Sequence, residues 1–423
     1  DGAISGSDTD ITITTAADTD LRWPSSSEAY NITINNASCI ARPTGDKPVI
    51  ANNLTITTGE YNTLDSGGST SHALTVRGRT DIGPASGSAD QATLTCNAST
   101  VSLGSGRTSS YGLIVNQGGT FVGGSGNHTI GSIETKNNSN AKCTLTSGVT
   151  TIDSENTSDN FALSIEAAST FDDGNGTVTF TIGDSTRIRT NTKPLYNVIV
   201  NNANASIEYV GDQTIDNDLT VTAGKFRYNS FEDLTVTGDV SVTGILGHPN
   251  VATTSDSTFG SLTINSGGEY KAPSGTTTIT SETSGGFAMV DQGTFTHNNG
   301  TIQIGDGSTA VGSGTHTKVD TFYNLTVNMS ASSVDAILRP NSGSTVTVAN
   351  DLTVTQGEVY RNNASDTLTV TGDVDIAANG TLGRTNDTGA TNFGSLTINS
   401  GGTFVATSGT TTITDETSGG YGL

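Results

Sequence analysis

The chain has 423 residues, of which about 29% are Ser or Thr and only 5% are aromatic, and its formal net charge is −23. So acidic a chain would repel phosphate backbones and anionic lipid surfaces, which argues against nucleic acid and membrane surfaces as partners. No apolar run approaches the roughly 18 residues that a membrane-spanning helix needs, which argues against membrane insertion.

Short runs in which Leu, Val or Ile alternates with Thr recur along the chain and predict β-strands. In residues 219–222 (LTVT) and 262–265 (LTIN), successive side chains point to opposite faces, so the aliphatic residues share one side. Gly-rich segments such as residues 266–268 and 284–286 separate the runs and supply the positive φ that tight corners need. Because no stretch of ten or more residues has helical spacing, we expect an all-β fold.

The chain also repeats itself. A segment that begins at Asp218 with DLTVTAGK returns at Asp351 as DLTVTQGE, an offset of 133 to 134 residues, and a looser copy lies upstream. Self-similarity of this kind indicates a stacked or modular architecture. The predicted organisation is an N-terminal strand segment that completes a repeat (1–29), repeat 1 (30–195), repeat 2 (196–322) and repeat 3, which ends mid-repeat (323–423).

Two architectures fit this pattern. LTV-like runs follow one another at intervals that average 25 to 30 residues, about one turn of a parallel β-helix. Three tandem β-sandwich domains are the alternative, but sandwich cores usually depend on large buried aromatic residues, and the single Trp, Trp23, lies outside the repeats. Small β-branched residues suit the stacked ladders of a solenoid, and parallel crossovers are right-handed by default. We therefore expect a right-handed parallel β-helix built from three tandem repeats.

Three segments, residues 293–307 (GTFTHNNGTIQIGDG), 322–328 (FYNLTVN) and 350–359 (NDLTVTQGEV), carry a resemblance. They resemble the repeats of large secreted bacterial surface proteins, of the filamentous-haemagglutinin or autotransporter-passenger type, and of phage fibre-like proteins. The likeness covers most of the chain. It implies a right-handed β-helix, an extracellular location or one on a cell or virion surface, and an adhesive or scaffolding role. The chain departs from that pattern because it has no recognisable secretion domain or membrane anchor.

Catalysis requires reactive side chains that come together at one site, and the sequence shows no such set in any copy of the repeat. No nucleophile elbow, zinc-protease motif or phosphate-binding loop is present, and we expect neither enzymatic activity nor a cofactor. The five histidines occupy polar corners at positions that no other copy repeats, so we expect surface roles for all of them: His72, His128, His248, His297 and His316.

Asp172 and Asp173 form the one notable acidic doublet inside a repeat, in the corner DDGNG. A solvated turn is the preferred interpretation. A weak Ca²⁺ loop through these two residues and Asn175 is the alternative, because oxygen-rich loops that contain glycine suit hard cations. Divalent cations therefore remain candidate partners, together with glycans.

The three cysteines, Cys39, Cys96 and Cys143, all lie in the first copy and lack metal-binding spacing. We expect small buried residues, with a single disulfide as the alternative. Asn-x-Ser/Thr triplets make the chain a candidate glycoprotein. These candidate sites are Asn31, Asn36, Asn53, Asn97, Asn127, Asn137, Asn156, Asn175, Asn204, Asn299, Asn324, Asn328, Asn363, Asn379 and Asn386.

The functional hypothesis comes from the positions within the repeat at which the chain begins and stops. The third copy stops at residues equivalent to 287–289, whereas the chain begins at residues that align with 292–304. We therefore expect a structural subunit of an extracellular fibre or surface filament, a homopolymer that stacks head to tail. An adhesin or receptor-binding fibre that recognises surface glycans is the first alternative, and a carbohydrate-active enzyme is the second. A window cut from a longer tandem array is the rival explanation of the ends. The assembly ends are Asp1, Gly2 and Ile4 at the start, and Tyr421 and Leu423 at the finish.

Overall fold

The computed structural model of the protein describes residues 10–22, 28–44, 48–84, 91–228, 231–247, 254–307 and 314–416. Within these residues the chain is all-β without a helix, and parallel strands stack as a β-solenoid of about 16 turns. This confirms the fold class and is consistent with a right-handed parallel β-helix, whereas tandem sandwiches are wrong because the strand ladders are parallel. The described residues include no helix long and apolar enough to cross a lipid bilayer.

The chain divides into two compact units. Unit 1 contains Asp1–Asp216 and Ala223–Lys225, and unit 2 contains Asn217–Thr222 and Phe226–Leu423. The strands that lie in unit 1 are β1 Asp10–Ile13, β2 Thr19–Arg22, β3 Asn31–Thr44, β4 Val49–Ile50, β5 Leu54–Asn62, β6 Leu74–Val76, β7 Thr80–Ile82, β8 Ala92–Thr95, β9 Val101–Leu103, β10 Leu113–Val115, β11 Gly119–Val122, β12 His128–Ile130, β13 Ile133–Thr135, β14 Lys142–Thr144, β15 Val149–Ile152, β16 Phe161–Ile165, β17 Thr170–Asp172, β18 Thr177–Phe180, β19 Ser185–Arg189, β20 Asn197–Tyr209 and β21 Gln213–Ile215.

The second half of the chain also consists of short strands joined by turns. Its first strand is divided between the two units. The strands from that point are β22 Leu219–Tyr228, β23 Leu234–Val242, β24 Ile245–Gly247, β25 Ser257–Ile264, β26 Glu269–Lys271, β27 Thr276–Ile279, β28 Phe287–Asp291, β29 Thr294–Thr296, β30 Thr301–Ile304, β31 Thr315–Lys318, β32 Thr321–Phe322, β33 Asn324–Asn328, β34 Asp335–Arg339, β35 Thr345–Val348, β36 Leu352–Arg361, β37 Thr367–Leu382, β38 Thr391–Ile398, β39 Thr403–Phe404 and β40 Thr411–Ile413.

Each coil lies in parallel register on the next, so side chains of equivalent positions form columns. Leu113 pairs with Ile133, which follows it by 20 positions, and with Thr80, which precedes it by 33 positions. The length of a turn therefore varies around the expected 25 to 30 residues. Register shifts within strands, such as that between Asn35 and Ile40 of β3, account for part of this variation, and connecting loops, which tolerate changes in length, account for the rest.

The alternation of aliphatic residues and Thr in the sequence matches the sides of the strands on which these residues lie in the structure. Val221 and Ile264 are fully buried, whereas Thr220 and Thr263 beside them are half-buried on the outer face. Some polar residues nevertheless point inward. The hydroxyls of Thr80, Thr150 and Thr317 are buried without a hydrogen-bond partner, so the interior is less uniformly aliphatic than the alternation predicts.

A recurring hydrogen bond joins successive coils at their corners, and we call this arrangement the corner device. The Asp373 backbone N–H donates to Asp351 Oδ1 at 2.9 Å, and Gly372, just before the donor, lies so close that a Cβ there would be 2.4 Å from that oxygen. Only glycine permits this approach. The same arrangement of an Asn or Asp acceptor with a glycine of the next coil recurs at Asn53 with Gly78, Asn127 with Gly148, Asp218 with Gly238 and Asp256 with Gly275.

Candidate assembly surface

The histidines do not converge on a reactive site. In the part of the chain that the structure describes, no three or more His, Cys, Asp or Glu side chains lie close enough together to hold a metal ion. His72, His297 and His316 are half-buried, and His248 lies outside the described residues.

His128 corrects the expectation of a surface role. Its side chain is 1% exposed and points inward from β12, in a column between Val101 and Thr150. Neither ring nitrogen makes a hydrogen bond, and Phe121 packs edge-on with a centroid distance of 5.9 Å. Because burial disfavours the charged ring, the pKa of His128 falls to about 4. The residue is a neutral core histidine at ordinary pH.

The acidic doublet forms a tight turn. Asp172 Oδ1 accepts from the Gly174 backbone N–H at 2.9 Å, and Asp173 Oδ1 accepts from the Asn175 N–H at 2.8 Å. Gly174 and Asn175 both have positive φ, as the corner requires. Asp172 is exposed, but Asp173 is only 8% exposed, and burial raises its pKa. The carboxylates therefore cap their own corner, and only Asp172 fits the description of a solvated turn.

The three cysteines are buried free thiols, which confirms the preferred interpretation over a disulfide. Burial raises the pKa of the Cys143 thiol to about 12, so it stays protonated and unreactive at ordinary pH.

A buried ion pair in unit 2 was not foreseen. Arg361 and Asp387 are 6% and 3% exposed, with 3.5 Å between Nη1 and Oδ2, and Arg361 also donates to Thr391 Oγ1. Burial lowers the pKa of Arg361 and raises that of Asp387, so desolvation opposes the attraction between them. In the repeat alignment Arg361 occupies the place of the buried Tyr228, whose hydroxyl donates to the Lys271 carbonyl at 2.7 Å. The position is structural in both copies.

Several candidate glycosylation sites have structural roles. Asn31, Asn53 and Asn324 each accept a backbone N–H from the next coil through Oδ1. Their triplets NIT, NLT and NLT also lie at the starts of strands, so an Asn that accepts this backbone hydrogen bond stands two residues before a strand Thr. This accounts for part of the abundance of the triplets without any glycan. By contrast, Asn204 and Asn379 are exposed.

The most distinctive surface is the coil formed by β38, β39 and β40. Ile398 is 41% exposed, whereas its counterpart Ile264 in the preceding copy is fully buried. Phe404 and Ile413 are likewise half-buried, although their counterparts, Tyr270 and Ile279, are 0% exposed. In the preceding copy β28, β29 and β30 pair with β25, β26 and β27, whereas β38, β39 and β40 pair, among the described strands, only with β37 or with each other.

The strand β1 is the first strand that the structure describes. It pairs with β3 along one edge, with Asp10 opposite Asn31 and Ile13 opposite Ile34. Among the described strand ladders β1 has no partner besides β3. Its sequence, DITI, aligns with the TIQI of β30, the strand that covers β27. The predicted assembly ends themselves, Asp1, Gly2, Ile4, Tyr421 and Leu423, lie outside the described residues.

No family model, curated protein or solved structure matches this chain. The end-to-end contact that the phase of the repeat predicts stays a prediction, and the corner device was not predicted from the sequence. An Asn or Asp immediately before LTV or LTI, with a glycine 20 to 25 residues later, was the available signal at three of the five corners, those of Asn53, Asp218 and Asp351.

Proposed function

We propose that this chain is a structural subunit of an extracellular fibre or surface filament, whose copies stack head to tail through strand edges. The observation that carries the proposal is the match between the edges of β1 and of the coil that ends in β40. Among the described strands, β1 pairs along one edge only, and so does β40. The sequence of β1 resembles that of β30, the strand that pairs with β27, and β27 is the counterpart of β40 in the preceding copy.

The register of the contact follows from unit 2. There β27 pairs with β30, and Ile279 lies opposite Ile304. By the same alignment, β1 of a second copy would pair with β40, and its Ile13 would lie opposite Ile413. This contact would pair backbone groups that strand edges leave open and would cover the apolar surface of Ile398 and Phe404. Because the two contacting surfaces differ, the contact is heterologous, and we expect it to continue from copy to copy as an open polymer.

The proposal assigns the chain no catalytic role, and we expect the purified protein to lack hydrolase and transferase activity. Its extracellular or surface location is supported by the resemblance to secreted repeat proteins. An adhesin or receptor-binding fibre that recognises glycans is the alternative function, and a polar groove on unit 1 favours it.

Sedimentation velocity and electron microscopy of the purified chain test the stacking. We expect concentration-dependent particles built from the 43.1 kDa subunit. Ile398→Asp and Ile413→Asp should each abolish them, because each places a charge in the contact. Thr412→Asp is the matched control, since Thr412 is exposed on the outer side of β40.

Circular dichroism should show that all three variants keep the β-fold, because Ile398 and Ile413 are partly exposed in the subunit. A wild-type chain that stays monomeric at every concentration would contradict the proposal. So would assembly of folded Ile398→Asp at the wild-type level.

A further inference from the structure

A polar groove crosses the outer face of β5, β8, β11 and β14 in unit 1. It consists of two adjoining clefts of about 360 Å³ and about 270 Å³, which share Gln91 and Thr93 in their linings. The other polar side chains of the lining include Glu60, Thr120, Asn140 and Lys142.

The floor of the groove is a column of outward-facing side chains in register. Glu60 pairs with Thr93, Thr93 with Thr120, and Thr120 with Lys142. Adjacent strands lie about 4.8 Å apart, so these polar groups repeat at that interval over a length of about 14 Å. Gln91 and Asn140 stand at the corners of their coils and form one wall. The groove therefore offers a linear series of polar groups.

Most of these groups are available to a ligand. The side chains of Gln91, Thr93, Thr120, Asn140 and Lys142 make no hydrogen bond or ion pair within the described residues. Glu60 differs, because its Oε1 accepts from Asn62 Nδ2 at 2.7 Å and from Thr95 Oγ1 at 2.8 Å. The carboxylate is therefore held in place, while the hydroxyls and amides around it remain unpaired.

The chemistry of the groove selects the ligand class. The backbone of β8 already pairs with β5 and β11, so a peptide finds no free strand edge at the floor. One carboxylate and one ammonium group leave the groove near neutral, which disfavours a polyanion. Hydroxyls and amides both donate and accept hydrogen bonds, as sugar hydroxyls do. We infer that this groove binds a neutral polysaccharide chain, laid across successive coils with one sugar unit per coil.

Affinity electrophoresis in native gels tests the inference, with dextran, hydroxyethyl cellulose or galactomannan in the gel and a gel without polymer as reference. We expect at least one of these neutral polymers to retard the protein, and polygalacturonate to retard it less. The double variant Thr93→Val, Thr120→Val should bind about tenfold more weakly, because it loses two hydrogen-bonding groups at an unchanged shape.

The matched control is Thr220→Val, Thr263→Val, which removes two outward hydroxyls from unit 2 and should bind as the wild type does. Retardation by none of the neutral polymers would overturn the inference. So would stronger retardation by polygalacturonate, or equal weakening in the control. These outcomes are independent of head-to-tail stacking, which Ile398→Asp removes without touching the groove.

Discussion

His128 shows what a single inward polar side chain does to stability. It sits in the core of unit 1 with both ring nitrogens unpaired, so the folded state accepts a proton there only at a pKa of about 4. In the unfolded chain a histidine titrates near 6.5. Between these values the unfolded state binds more protons, and protonation therefore favours unfolding.

We predict that the free energy of unfolding decreases as the pH falls from about 6.5 to about 4, by up to about 3 kcal/mol. Above this window the contribution of His128 is fully present, and below it the loss is complete. The variant His128→Val, which matches Val101 in the same column, should remove this part of the pH dependence. Urea unfolding at pH 7, 5.5 and 4.5 measures it, and an unchanged pH slope in the variant would refute the assignment.

The facing of neighbouring residues in β25 makes a second prediction. Ile264 is fully buried, and Ile264→Asp should cost several kcal/mol because it buries an unpaired charge. Thr263→Asp, one position away on the outer face, should cost less than about 1 kcal/mol. Denaturant midpoints of the two variants compare the sites directly. Equal losses would mean that the facing of this strand is wrong.

At the level of whole elements, the contact that matters is the corner between coils. Asp351→Ala removes the acceptor for the Asp373 N–H and should cost about 1 kcal/mol. Asp351→Asn keeps an Oδ1 acceptor, as Asn53 does at its own corner, and should cost clearly less.

Gly372→Ala should cost more than either change, since its Cβ would lie 2.4 Å from Asp351 Oδ1 and 2.8 Å from the Asn350 carbonyl. Chemical denaturation gives the order of the three variants. If Asp351→Asn proved as destabilising as Asp351→Ala, the hydrogen bond would not be the source of the effect.

For the whole molecule, the sequence predicts the features that follow from the two-residue alternation within a strand. It does not predict the features that depend on which distant strands pair and in what register. Strand facing is local, so Val221 and Ile264 were placed correctly. The same rule, applied to His128 and Ile130 two positions later, would have placed the histidine inside, but its polarity outweighed the pattern.

The groove could not be derived in this way. Thr93 and Thr120 become neighbours only because their coils stack in one particular register, across loops whose lengths differ from turn to turn. A pattern within one strand carries no information on which distant strand lies beside it. The exposure of Ile398 was not predicted, although the repeat supplies the comparison with the buried Ile264.

The corner built by Asp351 and Gly372 has a consequence for how such a chain can change over generations. Each acceptor serves only the adjacent coil, so a gene duplication that copies whole turns leaves every existing corner satisfied and adds corners that are satisfied in turn. A duplication that cuts within a turn separates an acceptor from its glycine and is penalised. The number of residues in the chain can therefore change by one whole turn at a time, because such a change keeps the hydrogen bonds between adjacent coils.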